Sequence, residues 1–411
     1  MYKYFVLSLL FLSFFISTSG CHLIQTPPVS TSSVPYAALS DQEVQALDWS
    51  DDLDFTGLAE AIEQSNRFFR RLPQYYKFEY GDTVYSPKEM EASLELLLQT
   101  LRTFQGEERI RQIQKKFIFF ESKNDQGGAF FTGYYEPILS GSLESNHKFK
   151  TPLYQTPNDL IKADLEKFDP EWEGTRIIGK VEGNQFIPYD SREKIVDSQS
   201  LDNRAIPIAY VENNIELFFL QIQGSGLLQL PDGSLKRVNY AAQNGHTYRS
   251  IGKLLIEENK IPREKMSMQA LKAYLYQHPE EVRRILNHNP SYTFFREVDE
   301  GPLGYIEVPL TPQRSIAMDR KLVPRGGLAF ITTQAPVFEN NQLITRKKLH
   351  RFVLVQDTGG AIRGHGRADI FWGHGPLAEL KAGHMQQTGR LFLLVARKEF
   401  LSPSLELISQ H

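Results

Sequence analysis

The chain is 411 residues long, room for two domains of ordinary size, and 41% of its residues are hydrophobic, enough for a sizeable core. Against 46 Lys and Arg stand 49 Asp and Glu, so the formal net charge is −3 with no basic block, which excludes the electrostatic footprint of a nucleic-acid binder. The single cysteine, Cys21, excludes an intramolecular disulfide and a multi-cysteine metal site.

Residues 1–20 begin with Lys3, pass through an apolar stretch from Phe5 to Leu12 and end in Ser17-Thr18-Ser19-Gly20. A basic start, a short apolar core and small residues before a cleavage point mark a secretory signal peptide. Cys21 follows Gly20 as in a bacterial lipobox, with Thr18 where Leu is usual; the alternative is an ordinary signal peptide with Cys21 incidental. A lipid on Cys21 would hold the chain at a membrane without spanning it, and His22 rather than Asp after the cysteine favours the periplasmic side of the outer membrane. Residues 21–40, rich in Pro, Ser and Thr, read as a flexible tether. No later apolar run is long enough for a membrane helix.

Two helical patterns follow. Leu58, Ala61, Ile62, Phe68, Phe69 and Leu72 fall on one helical face. Ser86, Pro87 and Glu89 make a capping box that starts a second helix, with Met90, Leu94, Leu97 and Leu101 as its stripe. A third helix is expected over 107–116. Strands are expected at Phe130–Tyr135, Ile206–Tyr210 and Leu217–Gln223, then helices at 247–257 and 267–287. The last hundred or so residues read as β, at Ile306–Leu310, Leu328–Thr332, His350–Gln356 and Leu391–Ala396, between Gly- and Pro-rich turns. Short strands with few helices between them suggest a small closed barrel or a sandwich, and periodicity alone does not choose.

Polar residues concentrate in Phe131-Thr-Gly-Tyr-Tyr-Glu-Pro137, Gln221-Ile-Gln-Gly-Ser-Gly226, Asn244-Gly-His-Thr-Tyr-Arg-Ser-Ile-Gly252 and, most densely, Gln356 to Gly375. In the last, Asp369 precedes the apolar run Ile370-Phe371-Trp372. A carboxyl desolvated by such a run is held protonated to higher pH, as a general acid requires. The alternative is that Asp357 and Asp369 are structural, accepting amides of the tight turns. Tyr134, Tyr135, Gln221, Gln223, Asn244 and Tyr248 are residue types that suit sugars, and equally types that pack or satisfy turns. No His-Glu-x-x-His helix, Gly-x-Ser-x-Gly elbow or Walker loop occurs, and Gly364-x-Gly366 lacks the third glycine of a dinucleotide site. Ser225 has no His-Asp pairing to make it a nucleophile. His365 and His374 are isolated in turns; no metal and no cofactor is expected.

These four clusters, in this order, resemble those of the membrane-bound lytic murein transglycosylase A family. Met266-Ser-Met-Gln269, Asn289-Pro-Ser-Tyr292 and Val308-Pro-Leu-Thr-Pro-Gln-Arg-Ser-Ile-Ala-Met-Asp-Arg320 extend the resemblance over roughly residues 130 to 396. The family's C-terminal 3D domain is named for three aspartates, which match Asp319, Asp357 and Asp369 here. The resemblance implies a mainly β fold with flanking helices: a double-psi β-barrel domain from 41–137 and 266–411, and an inserted β-rich domain over 138–265, with a glycan groove between them. It implies Asp369 as catalytic acid, supported by Asp357 and Asp319. Expected groove contacts are Thr132, Tyr134, Tyr135, Gln223, Ser225, Asn244 and Tyr248.

The implied reaction cuts the β-1,4 bond between N-acetylmuramic acid and N-acetylglucosamine without water and leaves a 1,6-anhydro ring. Peptidoglycan strands are the expected partner, with the membrane through the lipid anchor, wall-synthesis complexes as further candidates, and a monomeric chain. Two rivals stay open here: a hydrolase that uses two carboxylates, and a lipid-anchored module that binds peptidoglycan without cutting it.

Overall fold

The capping box forms as its residues dictate. Ser86 accepts from the Glu89 amide and Glu89 reaches back to the Ser86 amide, opening the helix Pro87–Thr103. The helix Leu58–Arg71 buries Leu58, Ala61, Ile62, Phe68 and Phe69, the stripe expected of it. Both helices pack on a β-barrel, and Trp49 is buried with its ring against Phe119, Phe330 and Phe392 of the strands. The computed structural model describes residues 36–401. The expected signal peptide, Cys21 and most of the tether lie outside the described residues.

The barrel is a closed ring of six strands. Around it run Leu328–Glu339, Gln342–Asp357, Ser315–Ala317, Arg367–His374, Ala129–Glu136 and Gln386–Ala396, which pairs back to Leu328–Glu339. Phe117–Ser122 adds a seventh strand outside the ring. Asn340 and Asn341, both with positive φ, turn the long hairpin between the first two, because Asn tolerates the left-handed region. Closure leaves the ring no free edge. The mainly β architecture with flanking helices is as expected.

A second, six-stranded sheet runs Thr293–Glu297, Leu235–Gln243, Ser225–Gln229, Ile138–Ser142, Pro207–Val211, Thr151–Tyr154 and has its own core. Its first strand in that order comes from beyond residue 265, so the sheet does not end where the sequence places the boundary. A small sheet of Ile161–Asp164, Arg176–Glu182 and Gln185–Pro188 stands beside it. The barrel is tied to the second sheet by Arg237, which donates to fully buried Glu136 at 2.8 Å, and by Asn239, which exchanges hydrogen bonds with the Leu303 backbone.

Two strand expectations from the sequence are overturned, and one helical stretch is divided. Leu217–Gln223 is not a strand but part of the helix Asn214–Gln223. The Asn213 side chain caps its start and Gly224, at φ 80°, ends it; a short, mostly apolar run is as compatible with a buried helix as with a buried strand. Ile306–Leu310 is a turn, with only an isolated Leu303–Pro309 bridge. The 267–287 region is two helices, Met268–Gln277 and Pro279–Asn287, because Pro279 has no amide hydrogen to continue the first.

Candidate active site

Asp369 lies on Arg367–His374, paired with Ala317 on one side and Thr132 on the other. The Thr132 hydroxyl and the Arg367 guanidinium both donate to Asp369 Oδ1. Arg367 also donates to Thr132 Oγ1 at 2.8 Å. Arg367 is two residues before Asp369, and the strand period of two sends both side chains to one face. Sequence reasoning passed over Arg367, although that spacing was its signal. Asp369 Oδ2 has no hydrogen-bond partner among the described residues.

The same alternation corrects the expected environment of Asp369. Ile370 and Trp372 project to the opposite face and are buried there; Phe371, on the Asp369 face, lies against Tyr134 with ring centroids 5.2 Å apart. Asp369 therefore meets a cation and a hydroxyl rather than an apolar wall, and both it and Arg367 keep 19% of their side-chain surface exposed.

Asp357 closes the strand Gln342–Asp357. Its Oδ2 accepts the Tyr134 hydroxyl at 2.9 Å, and its Oδ1 accepts the amides of Tyr305 at 2.9 Å and Thr358 at 2.8 Å. Burial pushes the Asp357 carboxyl up to about 6 and the negative charge of Asp369 adds to the rise, against the pull of the three donors. Burial, then Asp357, also drives the Tyr134 phenol well above its ordinary value, so it stays a neutral donor. Tyr305, which no sequence signal pointed to, enters the site through its backbone.

Thr132, Tyr134, Asp357 and Asp369 thus come together at one place on the barrel. Asp319 is buried and accepts the amides of Gly364 and Lys321, each at 3.1 Å; it pins the loop between the other two aspartates. Tyr135 points to the opposite face from Tyr134 and is buried, and its amide donates to Gln223 Oε1 at 3.1 Å. Gln223 sits at the junction of barrel and second sheet.

The remaining expected contacts serve the second domain. Ser225 is buried in a strand, opposite Asn239. Asn244 is 1% exposed; both its amide hydrogens go to the carbonyls of Asp190 and Pro290, and its oxygen accepts from the Tyr292 amide. With its donors used this way, Asn244 clamps loops and is not a groove contact. Tyr248 is half-buried, within electrostatic reach of the Arg192 guanidinium, and burial raises its phenol.

A family model for the MltA specific insert domain matches residues 130–296, and one for the 3D domain matches residues 314–395. Membrane-bound lytic murein transglycosylase A of Escherichia coli K12 is 33% identical over 277 residues, 67% of this chain and 67% of that protein. The chain belongs to the membrane-bound lytic murein transglycosylase A family. Membership places it among the peptidoglycan-cleaving lytic transglycosylases. The Vibrio cholerae relative is 32% identical over 272 residues, 66% of each chain. Among solved structures, a membrane-bound lytic murein transglycosylase from Agrobacterium tumefaciens superposes with a TM-score of 0.68 at 29% identity, covering 85% of this chain and 97% of its own. Escherichia coli MltA with bound chitohexaose gives 0.67 at 26% identity, covering 88% and 94%.

Proposed function

We propose that this lytic transglycosylase cleaves the β-1,4 bond after N-acetylmuramic acid without water, with Asp369 as its single acid and base. The observation that carries this reading is the asymmetry of the Asp369 carboxylate: Oδ1 is held by Arg367 and Thr132, and Oδ2 has no partner among the described residues. Oδ2 is then the oxygen that handles the proton. With Asp369 protonated at the start of the cycle, Oδ2 donates that proton to the glycosidic oxygen as the C1–O bond breaks, and Arg367 balances the carboxylate that results. The muramic acid C6 hydroxyl attacks C1, its proton returns to Oδ2, and a 1,6-anhydro ring closes. The nucleophile is part of the substrate, so proximity is built in.

Asp357 supports this reading rather than a hydrolytic one. Three protein donors engage both its oxygens, which makes it a poor base for activating water. A relative crystallised with chitohexaose supports a β-1,4 glycan as ligand. For location, the reading is a lipid on Cys21 and the periplasmic side of the outer membrane. Relatives named as membrane-bound support it, together with the finding that no helix among the described residues is long and apolar enough to cross a membrane.

The test is digestion of purified sacculi by the full chain beside Asp369→Asn, read by liquid chromatography and mass spectrometry. Anhydromuropeptides from the wild type and none from the variant are expected. Products heavier by one water would make the chain a hydrolase, and an unchanged variant would move the acid elsewhere.

A further inference from the structure

We propose that Tyr305, Arg320 and Arg325 form a shelf beside the reacting centre that binds a carboxylate carried by muramic acid, an inference that rests on the glycan-cleaving reading above. Tyr305 is fixed to that centre because its amide donates to Asp357 at 2.9 Å, while its side chain stays 36% exposed. The Arg320 guanidinium donates to the Tyr305 hydroxyl at 2.9 Å and lies 4.9 Å from the ring centroid. Arg325 lies 5.6 Å from the same ring and donates to the Tyr76 hydroxyl.

Neither guanidinium is paired with a carboxylate among the described residues, whereas Arg296, Arg314 and Arg351 each are. Each has donors left over, in the planar fork that matches a carboxylate. Tyr240, from the second sheet and 44% exposed, is within electrostatic reach of both Arg320 and Tyr305, so the shelf faces the other domain.

An N-acetylhexosamine backbone is uncharged and gives two free cations nothing to pair with. Muramic acid does: its lactyl group ends in a carboxylate when bare, and when amide-bonded it carries a peptide stem with carboxylates of its own. The shelf therefore distinguishes muramic-acid strands from neutral β-1,4 glycans.

The experiment compares the full chain with Arg320→Gln/Arg325→Gln on three ligands: stem-bearing glycan strands, strands stripped of stems by an amidase, and chitohexaose. The double variant is expected to raise KM about fivefold on at least one charged glycan, as two exposed ion pairs would, with kcat and the chitohexaose Kd unchanged. Loss confined to stem-bearing strands assigns the stem carboxylate; loss confined to stripped strands assigns the lactyl group. Arg320→Lys/Arg325→Lys, which keeps the charge but not the planar fork, should recover part of the loss. Unchanged KM on both charged glycans, or an equal weakening of chitohexaose, overturns the shelf. A wild type that cuts neither glycan overturns the catalytic reading alone. The shelf is then judged on Kd for the same glycans, which the double variant must weaken.

Discussion

Tyr134 donates its hydroxyl to Asp357 across 2.9 Å, and Thr132, on the same face of the same strand, donates its own to Asp369. One segment, Ala129–Glu136, thereby sets the positions of two carboxylates that arrive from different strands. Its neighbour Tyr135 faces the other way because the strand period is two.

Replacing Asp357 by Asn should change stability in a pH-dependent way. The folded carboxyl titrates near about 6 and the unfolded one near 3.8, so the folded state holds the proton more tightly between those values. The stability this contributes is full below the lower value and is lost as pH rises through the upper. Asn does not titrate, and Tyr134 can turn its hydroxyl to accept from the new amide. Asp357→Asn should therefore gain on the wild type by roughly 2–3 kcal/mol between pH 4 and pH 7, read from denaturant midpoints. A constant difference across that range would contradict the burial-driven shift.

Thr132→Val keeps the β-branched shape a strand favours and removes the hydroxyl between Arg367 and Asp369. We expect kcat on sacculi to fall by about tenfold or more, with melting temperature little changed. Unchanged kcat would show that Arg367 alone orients the acid.

Arg314 and Asp51 form a fully buried ion pair at 2.7 Å, and Arg314 also donates to the carbonyls of Thr56 and Phe352. Burial opposes the Asp51 charge, but the Arg314 hydrogen bonds and charge win and hold its carboxyl below the ordinary value. The stability it brings is present at neutral pH and lost as pH falls through the acid range. Asp51→Ala leaves Arg314 buried and uncompensated and should cost about 3–5 kcal/mol at pH 7, measured by chemical denaturation.

Gly133, between Thr132 and Tyr134, is required by close approach. A Cβ there would stand 2.6 Å from Trp372 Nε1 and 3.0 Å from the Cα of Ala382. Gly133→Ala should push the helix Pro376–His384 away from the strand, at a cost of about 1–3 kcal/mol, and lower activity by displacing its neighbours. A variant with wild-type melting and rate would show that the helix yields freely.

Some of this was written in the sequence alone. The Ser86 capping box and the stripe from Leu58 to Phe69 are local signals, each completed within a turn or two of helix, and both appear as read. The order of motifs was enough to name the family, and Thr132, Tyr134, Asp357 and Asp369 were all picked out before the structure placed them together. What the sequence left open depended on contacts between distant segments. The run Leu217–Gln223 is mostly apolar and carries no clear period, and only its packing against strands of the second sheet shows it to be a helix. Asn244 is polar and lies in a motif, yet the chain folds Asp190, Pro290 and Tyr292 around it and turns it into a clamp. Arg367 could be assigned to the face of Asp369 by counting, but not to its oxygen. Spacing along a chain fixes which face a side chain takes; closure of the barrel, which brings strands more than 200 residues apart into register, decides what that face meets.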